Sequence, residues 1–66
     1  MHITINGKRQ EIAEQKSVAS LLLCLDLNGK RLAIELNGEI LPRSQFASTL
    51  LADGDRLEII VAVGGG

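Results

Sequence analysis

The chain has 66 residues, with seven lysines and arginines against eight aspartates and glutamates, a net charge of −1 and a single aromatic residue, Phe46. That length predicts one domain over residues 1–66, and a domain so small buries only about 60% of its unfolded surface, which argues against a large enclosed catalytic cleft. Balanced charge and a lone aromatic argue against nucleic acid as a partner, because phosphate binding needs a basic stripe and base stacking needs several rings.

Cys24 is the only cysteine. An internal disulfide, an iron–sulfur cluster and a cysteine-based zinc site are therefore excluded, and a small fold without disulfide staples suits a reducing compartment. Met1 leads directly into a strand-like alternation, so no signal peptide is expected. The longest apolar runs, residues 21–25 and 59–63, are far too short to cross a bilayer as helices. The expectation is a soluble, cytoplasmic protein with no membrane contact.

Residues 1–6 alternate apolar and polar, the period of a half-buried strand. Asn6-Gly7 is a strong hairpin signal, and residues 8–12 return as a charged second strand suited to a sheet edge. Ser17 is a good helix N-cap, and Val18, Leu21, Leu22 and Leu25 after it fall on one helical face. Residues 26–30 read as the helix exit. Residues 31–36 alternate again, Asn37-Gly38 is a second hairpin signal, and residues 39–41 form a short return strand ended by Pro42. Residues 43–51 predict a short helical or 3₁₀ excursion that tucks Phe46 and Leu50 under the sheet. Asp53-Gly54-Asp55 is a turn, and residues 56–63 are the last strand.

The order ββαββ–short helix–β places two hairpins and one helix around one core. A mixed sheet of about five strands wrapped over one helix satisfies each apolar face, with the first and last strands parallel in the middle. This is an α+β fold of the β-grasp, or ubiquitin-like, kind.

The chain runs from the last strand directly into Gly64-Gly65-Gly66. Glycine has no Cβ, so such a tail can thread a narrow channel and present the carboxylate of Gly66 to a partner's active site. A free carboxylate is a poor electrophile and must first carry a good leaving group such as AMP. The tail therefore predicts a carrier that is adenylated and then loaded, with a frayed chain end as the plain alternative. In the last strand, Leu57, Ile59, Val61 and Val63 are assigned to the core. Ile60 and Ala62 then point outward beside the tail, as candidates for a docking patch, although single exposed apolar residues are also ordinary.

Other residues carry weaker signals. Leu23 lies across the helix from the core stripe, where it extends a partner surface or covers the following loop. Cys24 is expected to be a small buried hydrophobe. His2 is expected at a surface strand position and not as a metal ligand. Asp53 and Asp55 are ordinary turn residues, not a calcium site. Neither a Ser/His/Asp set nor a phosphate-binding loop is present.

These residues resemble the ThiS family, the sulfur carrier proteins of thiamine biosynthesis. The resemblance spans the whole chain and is clearest in Leu36-Asn37-Gly38-Glu39-Ile40-Leu41-Pro42-Arg43-Ser44, in Asp53-Gly54-Asp55 and in the last strand running into Gly65-Gly66. Family members commonly carry tryptophan near the position of Phe46, a departure that touches packing more than chemistry. The resemblance implies that a ThiF-like adenylyltransferase uses Mg-ATP to form an acyl-adenylate at Gly66. Sulfur from a cysteine-derived relay then displaces AMP to leave a thiocarboxylate. A ThiG-like thiazole synthase uses that sulfur to build the thiazole ring. The protein would be a co-substrate and not an enzyme, with no tightly bound cofactor. Gly66 would react, Gly65 would give clearance and Gly64 slack. Three rivals stand beside this reading: a molybdopterin-type sulfur carrier, a ubiquitin-like protein modifier, and a non-catalytic β-grasp interaction module.

Overall fold

A computed structural model describes residues 1–27 and 29–62. Strands β1 (His2–Ile5) and β2 (Lys8–Glu11) form the first hairpin. Helix α1 (Val18–Cys24) follows, then β3 (Leu32–Leu36), β4 (Glu39–Leu41), a 3₁₀ turn (Arg43–Gln45) and β5 (Arg56–Val61). The sheet order is β2-β1-β5-β3-β4. β1 and β5 are parallel, and the other neighbours are antiparallel. The mixed sheet on one helix is the expected β-grasp.

Both Asn-Gly pairs close two-residue hairpins with positive φ at each residue: 50° and 82° at Asn6 and Gly7, 53° and 88° at Asn37 and Gly38. That backbone matches the right-handed twist of the flanking strands. β2 lies at the sheet edge with all four residues exposed, as its charges require. Ile12, just beyond it, turns into the core.

Ser17 caps α1, its hydroxyl accepting from the Ser20 N–H at 3.1 Å. Val18, Leu21 and Leu22 are buried, but Leu25 is 39% exposed and does not complete the apolar stripe. The helix stops one residue before it, because Asp26 takes φ of 59°. The Asp26 N–H then donates to Leu23 C=O at 3.1 Å and the Leu27 N–H to Leu22 C=O at 2.9 Å. This pair of bonds is a Schellman closure, and it turns Leu27 onto the core instead of Leu25.

The excursion after Pro42 buries Phe46 as expected, but Leu50 is 60% exposed and Leu51 is fully buried. The reason lies in the backbone. Residue 50 bridges Ser17, and the Leu51 N–H donates to Lys16 C=O at 3.0 Å, which turns the next side chain inward. Leu51 joins Ile3, Ile34, Leu57 and Val18 at the fully buried centre.

β5 is held more firmly than its backbone ladder alone provides. β1 pairs with it only at Thr4–Arg56 and Ile5–Leu57. The Asn6 side chain then continues the ladder: Ile59 N–H donates to Asn6 Oδ1 at 2.7 Å, and Asn6 Nδ2 donates to Ile59 C=O at 3.1 Å. On the other flank, Asn37 Oδ1 accepts from Arg56 N–H at 2.9 Å, and Asn37 Nδ2 donates to Asp55 Oδ1 at 3.0 Å. Asn6 thus grips the central strand with both ends of its amide, and Asn37 holds its first residue and the Asp55 carboxylate just before it.

The Asp53-Gly54-Asp55 turn feeds β5 beside β1. Asp53 Oδ1 accepts from the His2 backbone N–H at 2.7 Å, and the Gly54 N–H donates to His2 C=O at 2.7 Å. Accepting that backbone hydrogen bond lowers the Asp53 pKa below its ordinary value of 3.8, with smaller help from the positive charge of His2, the N-terminus and Arg9.

Two predictions follow from these contacts. Asn6→Ala removes both bonds to Ile59 and leaves at positive φ a residue that tolerates it less well than asparagine, so it is expected to lower stability by about 2 kcal/mol in urea titration. Asn6→Gly keeps the turn conformation and is expected to recover about 1 kcal/mol of that. Equal losses in the two variants would show that the amide grip, and not the turn conformation, accounts for the whole effect; no loss in either would contradict the grip. For Asp53, the depressed folded pKa means its charge stabilises the fold above pH 3.8, and that contribution is lost as pH falls through the folded value. Wild type should therefore exceed Asp53→Asn in urea midpoint at pH 6, with the gap closing as the pH drops below 3.8. A gap independent of pH would contradict this.

Candidate functional site at the end of β5

Along β5 the side chains alternate as the sequence predicts. Leu57 and Ile59 point into the core, while Glu58, Ile60 and Ala62 lie on the opposite, exposed face. Ile60 is 60% exposed. The structure therefore brings Ile60 and Ala62 together on one bare face at the end of the central strand. Val61, assigned to the core from the alternation, is instead 37% exposed. The core ends at Ile59, because no β1 residue pairs with β5 past Leu57 and Asn6 reaches only to Ile59. From Ile60 onward β5 is flanked by β3 alone, through Ala33–Ile60 and Leu32–Val61 and a bond from Ala62 N–H to Arg31 C=O at 2.8 Å. The strand thus loses its β1 neighbour here while keeping β3 through Ala62. Gly64, Gly65 and Gly66, together with Val63, lie outside the described residues.

Beneath this end of the sheet is an open cleft of about 230 Å³ between α1, the start of β3 and the 3₁₀ turn. Leu22, Leu27, Leu32 and Phe46 form its apolar walls, and Lys30 and Arg43 bring cations to it. The Arg43 guanidinium donates to Lys30 C=O at 3.2 Å, tying the two loops together. Leu32 lines the cleft and is the partner of Val61, so the root of the tail has a bare sheet face on one side and a basic-lined cleft on the other.

The remaining candidates divide. Leu23 is 61% exposed, as expected across the helix from the core. Cys24 is exposed, not buried, and its Sγ lies 3.5 Å from Lys16 Nζ. It is the last helical residue, on a turn whose inward positions are already taken by Leu21 and Leu22. His2 is half-buried within β1, with its Nδ1 buried and unpartnered. Among the described residues, no three of His, Cys, Asp and Glu gather as a metal site, and no helix is long and apolar enough to cross a membrane.

Sequence reasoning missed the cleft and the two asparagine grips. Asn-Gly was legible as a turn, but the preference for asparagine over aspartate at both turns was the available signal. Only an amide both donates to and accepts from a neighbouring strand.

Comparison with known proteins agrees with the geometry. The model of the ThiS family matches residues 3–66. The uncharacterized protein ycf40 of Porphyra purpurea is 47% identical over 64 residues, covering 97% of this chain and 90% of that protein. The sulfur carrier protein ThiS of Escherichia coli is 32% identical over 66 residues, covering all of both. A thiazole synthase of Paramagnetospirillum magneticum is 38% identical over 66 residues, which is all of this chain and 20% of that protein. The crystal structure of the thiamine biosynthesis protein ThiS from Geobacter metallireducens superposes with a TM-score of 0.84 at 39% identity, covering both chains in full.

Proposed function

Because this chain belongs to the ThiS family, we propose that it is a sulfur carrier of thiamine biosynthesis whose reacting group is the C-terminal carboxylate of Gly66. The observation that carries this reading is the family match itself, which runs through the glycine tail to residue 66. Residues 1–66 act as one carrier domain, and residues 64–66 as its reactive tail.

The chemistry divides between carrier and partner. The carrier supplies a carboxylate on a tether without side chains. A ThiF-like adenylyltransferase supplies Mg-ATP and the groups that activate it. A carboxylate oxygen of Gly66 attacks the α-phosphorus of ATP, pyrophosphate leaves, and an acyl-adenylate results. A sulfide equivalent from a cysteine-derived relay then attacks the acyl carbon. AMP departs with the electron pair of the broken acyl–oxygen bond, leaving a thiocarboxylate. The sulfur stays ionised and soft at neutral pH, and it remains attached while it moves to a ThiG-like thiazole synthase.

The described residues supply the platform for this transfer. Asn6 and Asn37 fix β5, and the strand emerges with Ile60 and Ala62 exposed next to the tail. Ile60 and Ala62 contact the partner, Gly64 and Gly65 pass through its channel, and Gly66 reaches the nucleotide. The carrier brings no tightly bound cofactor and performs no catalysis alone. The similarity to one part of a thiazole synthase supports placing the carrier beside that enzyme, since a covalent link keeps donor and acceptor at high effective concentration.

The test uses purified protein, the host's adenylyltransferase, Mg-ATP and a sulfide source. Gly66→Leu and Gly65→Leu are each expected to reduce thiocarboxylate formation at least about 100-fold, because displacing the reacting carboxylate by about 1 Å is enough for such a loss. Their denaturation midpoints should match wild type. One residue added after Gly66 should block loading equally. Loading of Gly66→Leu at the wild-type rate would overturn the assignment of the tail.

A further inference from the structure

The transfer chemistry leaves the cleft beneath the end of β5 without a role. Its volume of about 230 Å³ falls below the ~300–1,000 Å³ of ordinary small-molecule sites, so it suits the end of a chain better than a cofactor. Leu22, Leu27, Leu32 and Phe46 make it apolar. Among the described residues, the charged side chains that line it are Lys30 and Arg43, and none is acidic. The bond from Arg43 to Lys30 C=O uses one of five guanidinium N–H groups and leaves the others for an anion. The cleft is therefore shaped for a short segment with a small apolar side chain and an anionic end.

The strand register directs the chain's own end to this place. Val61 pairs with Leu32, a wall of the cleft, and the Ala62 N–H bonds to Arg31 C=O one step further along β3. One more step in that register sets position 63 against Lys30. The alternation of β5 assigns Val63 to the side of Leu57 and Ile59, which is the side of α1 and the cleft. Four residues, Val63 to Gly66, follow Ala62, and they reach at most about 14 Å. Glycine allows the reversal that brings such an end back beneath the sheet. An exposed cation–carboxylate contact is weak between separate molecules. A short tether raises the carboxylate to an effective concentration in the millimolar range, where a weak contact is populated.

We propose that the cleft is a binding site for the carrier's own C-terminal group. Lys30 and Arg43 receive the Gly66 carboxylate, or the thiocarboxylate after loading, while Leu32 and Phe46 take the apolar contact of Val63. This rests on the sulfur-carrier reading, which makes Gly66 the charged end of the chain. Seated there, the sulfur is held against the body of the carrier between enzymes, and each partner competes with the cleft for the tail.

The test is amide NMR relaxation on the full, unloaded chain as wild type, as the same chain amidated at Gly66, as Lys30→Gln, and as the charge control Lys8→Gln, an exposed residue of β2. The Gly65 order parameter is expected to lie above about 0.6 in wild type and Lys8→Gln, and below it in the amidated chain and Lys30→Gln. Sodium chloride at about 0.5 M should lower the wild-type value in the same way. Amidation should also move the amide signals of Lys30, Leu32 and Phe46 and leave that of Thr4, near the other end of β5, in place. A wild-type value below about 0.6, or one equal to that of the amidated chain, would overturn the site. A value that falls on dilution would assign the cleft to the tail of a second copy and overturn it too. If Lys30→Gln disturbs the fold, the amidated chain, whose body is unaltered, decides alone. The experiment needs neither sulfur nor enzyme. The site can therefore fail while the sulfur-carrier reading stands, and a Gly66 that takes up no sulfur beside an active enzyme would sink that reading without altering the measured order of the tail.

Discussion

The grip of two turn asparagines on β5 is the interaction on which the rest of the molecule depends. A 66-residue chain has little core with which to hold a central strand. β1 contributes only two backbone pairings to β5, yet the strand must be fixed as far as Ile59. The side-chain amide of Asn6 extends that ladder without extending β1, and Asn37 does the same at the strand's beginning. Because each asparagine also occupies a left-handed position in its hairpin, one residue type sets the turn and anchors the neighbouring strand.

That arrangement separates a rigid part from an emerging part within one strand. Leu57 and Ile59 belong to the core, and two residues later Val61 is already exposed. A carrier needs this division. The body must give partners a fixed surface, while the reacting end must leave that surface and enter a separate active site.

Much of the fold was legible because local signals agreed with one another. Alternation marked the strands, Asn-Gly marked both hairpins, and Ser17 marked the start of α1. The errors arose where tertiary contacts overrode a period. Leu25 matched the helical stripe, but Asp26 ended the helix in a left-handed conformation that favours glycine, and Leu27 took the core position. Leu50 and Leu51 are adjacent leucines, and only the bridge from residue 50 to Ser17 decides which one turns inward. Val61 obeyed the alternation but lies past the last pairing of β1 with β5 and is 37% exposed. Of the candidate site, Ile60 and Ala62 were readable from the period of β5. The basic-lined cleft was not, since it exists only through the packing of α1, the start of β3 and the 3₁₀ turn.

The central claim is that the carboxylate of Gly66 becomes a thiocarboxylate. The most direct measurement is mass spectrometry of the C-terminal tryptic peptide after coexpression with the host's ThiF-like adenylyltransferase. Arg56 is the last cleavage site, so the peptide of residues 57–66 contains neither Met1 nor Cys24, whose oxidation would mimic the exchange of oxygen for sulfur. The account predicts a sulfur-for-oxygen mass gain on this peptide that requires ATP and an intact Gly66. An unmodified peptide beside a demonstrably active enzyme would contradict it.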